Sequence, residues 1–280
     1  MKTRIRNWNK KYTLKIILLI PLMLAFITVV LACNASEGER PQSITTTSAT
    51  YTALSTRLIN VIRANGDASS IIDSIAQVDE AVLSAELTND DRRKTFWINV
   101  YNAYIQLLLL ENPELHQKRN AFFNEKRMVI AGKELSFDDI EHGIIRRSKV
   151  KLSLGLFSKW RVSDFEKQFR CDAVDPRVHF ALNCGAKSCP PIAALELSRI
   201  NKQLDASTRL HLQATSTFNE AENTVYITTL FSWFRGDFGN KDGIRKFLKQ
   251  YDILPKDAGQ VTLSFTTYDW TLLLDNYVDL

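Results

Sequence analysis

Apolar positions in the body of the chain recur at helical spacing from its first residues. Leu54, Leu58, Val61 and Ile62 predict a surface helix over residues 51–64. Ile72, Ile75, Val78 and Val82 predict a second over residues 69–87, with Asn65-Gly66-Asp67 between the two as stop and cap. Residues 90–111 make the strongest helical segment: it opens on charged residues, ends at Asn112-Pro113, and is almost wholly apolar in its middle, from Phe96 to Tyr104. Residues 127–137 predict a hairpin around Ala131-Gly132, and residues 137–147 a short helix capped by Ser136 or Asp138. Beyond these the pattern predicts a strand over 178–184, a helix over 204–215, a strand over 224–231, a helix over 242–251 and a strand over 261–267. Helices gather at the front and strands scatter towards the back. That order predicts an α+β fold, a single mixed domain with N-terminal helices packed on a small, mostly antiparallel sheet.

Ahead of this body the pattern changes. Residues 1–15 are basic, residues 16–32 form an apolar run interrupted by Pro21, and Cys33 follows at once. A charged start, an apolar stretch and a small residue at Ala32 outline a secretory signal. The run is short for a bilayer span, which needs roughly 20 residues, although an uncleaved anchor is an alternative. Val30-Leu31-Ala32-Cys33 resembles a bacterial lipobox, which makes Cys33 the expected site of lipidation and the first mature residue. Residues 34–48 are rich in Ser, Thr, Gly, Glu and Pro and have little to bury, as in a flexible tether. The expected organisation is thus a signal peptide at 1–32, a tether at 33–49 and one domain at 50–280. Such a protein is lipid-anchored in the bacterial cell envelope, on a membrane facing the periplasm or the exterior, with the membrane as its first partner.

Charge sharpens this division. The 280 residues carry 36 Lys and Arg against 31 Asp and Glu, a formal +5. Removing residues 1–32 leaves 30 basic and 31 acidic side chains. The basic excess therefore belongs to the targeting segment. With no basic stripe or recognised motif in the mature chain, nucleic acid is not an expected partner. The composition also excludes collagen-like, low-complexity, wholly disordered and disulfide-dense chains.

Three places carry candidate chemistry. Asn99, Asn102 and Gln106 share one face of the helix at 90–111. A buried amide without partners costs on the order of 1–3 kcal/mol, so these three either tie the helix to a neighbouring loop or orient a catalytic group. The second place is Asp175-Pro-Arg-Val-His-Phe-Ala-Leu-Asn-Cys-Gly-Ala-Lys-Ser-Cys-Pro-Pro191. Strand alternation would set His179 and Asn183 on one face and Cys184 on the other, in the core. Pro190 suits the first position of a helix, so Cys189 is expected near an N-cap, where free N–H groups and the helix dipole lower a thiol's pKa. With a histidine nearby this is the arrangement of an activated nucleophile. A disulfide between Cys184 and Cys189 is an alternative in an oxidising envelope. A metal site of His179, Cys184 and Cys189 lacks a fourth ligand and the usual spacing, and no metal or other cofactor is expected. Cys171 is expected in the core. The third place is Leu230-Phe-Ser-Trp-Phe-Arg-Gly-Asp-Phe238 with Tyr268-Asp-Trp270, where Trp233, Asp237, Asp269 and Trp270 are candidates for binding a sugar or orienting a histidine, or for capping the next turn. His116, His142 and His211 lack such a context and read as surface or satisfied core residues.

Five blocks occur in the order seen in the domain of unknown function 547 family: FWINVYNA at 96–103, the Leu135 to Arg146 segment with Asp139-Ile-Glu141, DPRVHFALNCGAKSCPP at 175–191, FSWFRGDF at 231–238 and YDW at 268–270. The resemblance spans roughly residues 85–275. It implies an uncharacterised protein type common in bacterial envelopes, and a fold similar to that of papain-like and transglutaminase-like cysteine enzymes. That in turn implies a site of His179, Cys184 and Cys189, with Asn99, Asn102 and Glu141 as supporting polar residues. Papain-like enzymes place the nucleophile before the histidine, whereas here His179 precedes both cysteines, so the site must be rearranged or no longer catalytic. The functions expected are a thiol hydrolase or acyl transferase acting on an amide or thioester, a non-catalytic module for a peptide or glycan, or a thiol redox protein using Cys184 and Cys189.

Overall fold

A computed structural model describes residues 50–280. The signal segment, Cys33 and the tether lie outside the described residues. The front is helical, over Tyr51–Arg63, Ser69–Gln77, Glu80–Glu86 and Asp90–Glu111. The single helix expected at 69–87 is two. Val78 leaves helical geometry at ψ 139°, and the Asp79 side chain accepts the N–H groups of Ala81 and Val82, starting a new helix.

The Asp90–Glu111 helix is the spine of this half. Asn89 caps it by accepting the N–H of Arg92, Asp90 and Asp91 complement its positive end, and it ends at Glu111, with Asn112 between it and Pro113. Its middle is buried on every side, from Lys94 to Gln106, as expected of a helix apolar all round. Phe96, Trp97, Ile98, Val100 and Tyr101 pack there into the larger core with Leu58, Ile75, Phe122, Phe137 and Ile144.

The hairpin forms as expected from β1 (Met128–Ile130) and β2 (Lys133–Leu135), with Ala131 at φ 49° and Gly132 at φ 71° in its turn. The segment after it is a π-helix over Asp139–Ile145, in which Arg146 N–H donates to Glu141 O (2.9 Å) and Ser148 N–H to Gly143 O (2.7 Å). Ser136 Oγ accepts the N–H of Asp139 at its start. Single π turns inside helices frequently occur at functional sites.

A smaller core forms the back. Phe180, Leu212, Val225, Ile227, Phe231, Phe238, Ile244, Phe247 and Leu248 fill it, under a sheet of β3 (Thr217–Asn219), β4 (Thr224–Thr228) and β5 (Thr262–Thr266). β3 and β4 are antiparallel; β4 and β5 run parallel, joined by a crossover through the helices Leu230–Trp233 and Asn240–Gln250. The strand expected at 224–231 therefore ends at Thr228 and turns helical, which swings Trp233 and Phe234 out of the sheet.

The segment expected as a strand over 178–184 is a 3-10 helix, Pro176–Phe180, followed by irregular chain. Pro176 opens it, and the Asp175 side chain accepts the N–H of Arg177 as its cap. Local turn chemistry at Asp175-Pro176 outweighs the apolar alternation. The chain is α+β, as the order of its elements predicts. Among the described residues no helix is long and apolar enough to cross a membrane.

Candidate functional site

Where the two cores meet, the structure leaves a cavity of ≈ 380 Å³. His179, Cys184, Cys189, Glu141, His142 and Tyr268 line it, with Trp233, Phe234, Trp270, Leu182 and other apolar side chains as its wall.

Asn102 sets the cysteine loop. Its amide donates to Ala181 O (2.8 Å) and accepts the N–H of Asn183 (2.9 Å). Asn183 continues the chain of bonds, accepting the N–H of Gly185 (2.8 Å) and donating to Pro190 O (2.8 Å). The loop is also clamped by the C-terminal tail, through Lys187 N–H to Thr271 O and Leu273 N–H to Gly185 O, both 2.8 Å. Gly185 sits at φ 84° with Leu109 against it, so a side chain there would be both strained and crowded. Asn99 does similar work further along, donating to Leu195 O (2.9 Å) and accepting its N–H (3.0 Å). Gln106 accepts the N–H of Asp275. The amide face is thus a scaffold that fixes backbone around the cavity, and none of the three lines it.

Cys184 and Cys189 are paired as a disulfide, with Cα atoms 6.3 Å apart. Cys184 is therefore no buried core thiol; it is partly exposed on the cavity wall, because the chain at 181–185 does not alternate as a strand. Nor does Cys189 cap a helix. Pro191 disfavours helical geometry at Pro190, and the chain enters no helix until the short turn at Leu197–Arg199. The sulfur of Cys189 instead accepts the N–H of Cys184 (3.0 Å) and faces the hydroxyl of Tyr268 (3.1 Å), which is also 3.4 Å from the other sulfur. Burial, then Glu141, pushes the Tyr268 hydroxyl's pKa up, so it stays a donor. Cys171, the remaining cysteine of the body, is buried, and burial raises its thiol to about 12.

His179 is held from behind. Its Nε2 is 2.9 Å from Asp237 Oδ2, and its ring stacks on Phe234 with centroids 3.9 Å apart. Arg146 donates through Nε to the same carboxylate oxygen at 2.6 Å, with both side chains fully buried. Burial pushes the Asp237 carboxyl up, but the bonds from His179 and Arg146 outweigh it and hold the group below the usual carboxylate range. Burial lowers His179 more than Asp237 raises it. The outcome is a neutral imidazole facing an ionised carboxylate. Nε2 must then carry the proton and Nδ1 the lone pair, the tautomer a general base requires.

The π-helix supplies the rest. Its wide turn places Glu141 and His142 on the cavity while Arg146 stays beneath it. Tyr101 OH donates to Glu141 (3.2 Å). Arg146 Nη1 donates to His142 Nδ1 (2.7 Å), and burial with that guanidinium lowers His142 to about 3. The sequence reads His142 as a surface or satisfied core residue; it is buried and hydrogen-bonded, and what that reading leaves out is its place on the cavity, for which the i,i+4 spacing from Arg146 is the available signal. Tyr101 and Tyr268 stand within the FWINVYNA and Tyr268-Asp-Trp270 motifs, which mark their segments but not these two hydroxyls.

Of the aromatic candidates, Trp233, Tyr268 and Trp270 form one cluster on the cavity wall, with Trp233 stacked on Trp270 at 5.7 Å. Asp237 orients the histidine. Asp269 does not join them: its carboxylate accepts the N–H of Thr271 (2.9 Å) in a turn and lies 3.6 Å from Lys187. No hydrogen bond links His179 to either sulfur among the described residues. No cluster of three or more potential ligands is arranged for a metal ion among them.

Residues 85–212 match the model of a family described as "Protein of unknown function, DUF547". That stretch holds the central helix, the hairpin, the π-helix and the cysteine loop, and it stops short of Asp237 and Tyr268. No curated protein and no solved structure matches the chain.

Proposed function

We propose that the cavity of this DUF547 chain is a thiol-dependent acyl-transfer site, a hydrolase or acyltransferase for an amide or thioester, whose resting form is the Cys184–Cys189 disulfide. One observation carries this reading: a histidine backed by a buried carboxylate lines the same cavity as both cysteines. A dithiol reductant gives up two electrons and two protons to open the bridge, and itself becomes a disulfide. Cys189 is the nucleophile, since the N–H of Cys184 and the hydroxyl of Tyr268 stabilise negative charge on its sulfur. Nδ1 of His179 accepts the thiol proton as the sulfur attacks the carbonyl carbon, then returns it to the leaving group; water or an acceptor resolves the thioester. Reduction has to let Cys189 turn towards His179. The apolar aromatic wall suits an amphiphilic acyl group.

A thiol-reactive probe tests this. The oxidised, folded body, residues 49–280, should resist labelling, because it lacks Cys33 and its Cys171 is buried. After reduction Cys189 should react well below pH 8, and His179→Ala should slow it at least tenfold. No labelling of reduced, folded protein would sink the proposal. The disulfide on an open cavity also favours a second reading, thiol–disulfide exchange. Under it, Cys189→Ala abolishes electron transfer from a dithiol to the protein while His179→Ala leaves it intact. A third, a binding module for a peptide or glycan, predicts that Cys189→Ala leaves ligand binding unchanged.

We place the domain on a bacterial envelope membrane through lipidated Cys33, on the strength of the lipobox-like Val30 to Cys33. Radioactive palmitate should label the chain and be lost in Cys33→Ser.

A further inference from the structure

Arg146 to Arg161 holds six basic side chains and no acidic one. The chain there folds back as a loop, closed by Val150 N–H to Phe157 O (3.0 Å) and by the pairing of Lys149 with Ser158. Gly236 N–H donates to Leu154 O (2.7 Å) and fastens the loop to the body. An anchored loop would be expected to turn its large apolar side chains inward. This one leaves them in solvent: Leu152 is 88% exposed, Phe157 69% and Trp160 92%, with Leu156 at 47% and Val150 at 39%.

The charges flank this apolar tip. Arg146 is buried against Asp237, Lys151 pairs with Asp138 and Lys159 with Glu166. Arg147 and Arg161 are exposed and Lys149 half-buried, and among the described residues none of the three has a carboxylate within ion-pair distance. Protein interfaces are depleted in lysine and acidic groups and centre on apolar pockets. Tryptophan, phenylalanine and leucine projecting from a loop among unneutralised lysine and arginine instead match what a lipid headgroup region accepts, apolar bodies below and cations at the phosphates.

We propose that the loop at 147–161 docks the body on an anionic phospholipid surface, with Leu152, Phe157 and Trp160 entering the boundary of headgroup and acyl chain. This contact is independent of any anchor at Cys33. Lys151, Leu152 and Leu154 also line the cavity, so docking sets the mouth of the cavity against the bilayer, where membrane-borne acyl groups are presented.

The test uses the body, residues 49–280, which forms a compact unit by itself and contains both cores. Sedimentation with vesicles of phosphatidylglycerol and phosphatidylcholine is compared with vesicles of phosphatidylcholine alone. Partition should be at least tenfold stronger on the anionic vesicles and should weaken with salt. Leu152→Ser with Trp160→Ser should lower it at least tenfold without changing the melting temperature, and Arg147→Glu with Arg161→Glu should remove the preference for anionic lipid. Failure to bind either vesicle, or unchanged binding by both variants, would overturn the proposal. So would a concentration-dependent dimer abolished by the serine variant, since the patch would then be a contact between copies. None of these outcomes depends on the cysteines, so loss of the acyl-transfer reading leaves this result standing.

Discussion

Asp237→Asn isolates the charge that supports the site. It keeps the shape of the side chain and removes the negative charge that Arg146 and His179 share. Arg146 then stays fully buried with its charge uncompensated, a change that costs roughly 3–5 kcal/mol when one partner of a buried pair is lost. For a domain of this size, each kcal/mol moves the melting temperature by about 2–4 °C, so the midpoint should fall by about 6–20 °C. The double variant Arg146→Met with Asp237→Leu removes both charges. It leaves the Nε2–H of His179 without an acceptor and Nδ1 of His142 without a donor, the second at the cavity lining, where water can replace the guanidinium, so it should recover to within about 1–3 kcal/mol of the parent. Thermal unfolding of the three proteins, followed by circular dichroism, makes the comparison. A loss below about 1 kcal/mol for Asp237→Asn would refute the reasoning, as would a double variant no more stable than the single one.

Other expectations follow from the same geometry. Asn102→Ala strips the partners from Ala181 C=O and Asn183 N–H, and urea titration should show a loss of roughly 2–5 kcal/mol; a loss under 1 kcal/mol would mean the cysteine loop is held otherwise. Gly155→Ala puts a Cβ against Asp237 Oδ1 at φ 77°, and should cost roughly 2–4 kcal/mol in the same assay. Burial holds His211 at about 4 against an unfolded 6.5. Its contribution to stability is complete above about pH 6.5 and is lost as pH falls, by about 2 kcal/mol between pH 7 and 5. The parent should lose that much more stability over this range than His211→Gln, and equal losses would show that His211 is not held neutral.

The elements legible in the sequence are those whose signals are local. Periodicity, an Asn cap and a closing proline define the helix Asp90–Glu111, and Ala131-Gly132 defines the hairpin. The burial of Asn99 and Asn102 on an apolar helix already required partners, and the structure names them as backbone groups. The pairing of Asp237 with a histidine was among the readings its aromatic motif allowed. Where two local rules competed, at Asp175-Pro176 and at Cys189-Pro190-Pro191, the alternation and the N-cap each gave way to proline's restrictions. The basic, apolar loop at 147–161 was hidden by a near-neutral total, because net charge averages over the very clustering that matters.

What remained was decided by contacts between residues far apart in the chain. Tyr268 reaches the two sulfurs from 79 and 84 positions away, and Asp237 reaches Arg146 from 91. No window of sequence contains such a pair. The sequence by itself determined the α+β class, the spine helix and which side chains could do chemistry. Only the tertiary structure decided which of them share a cavity, because that depends on how two cores close on each other, and with it on which charges burial forces into pairs.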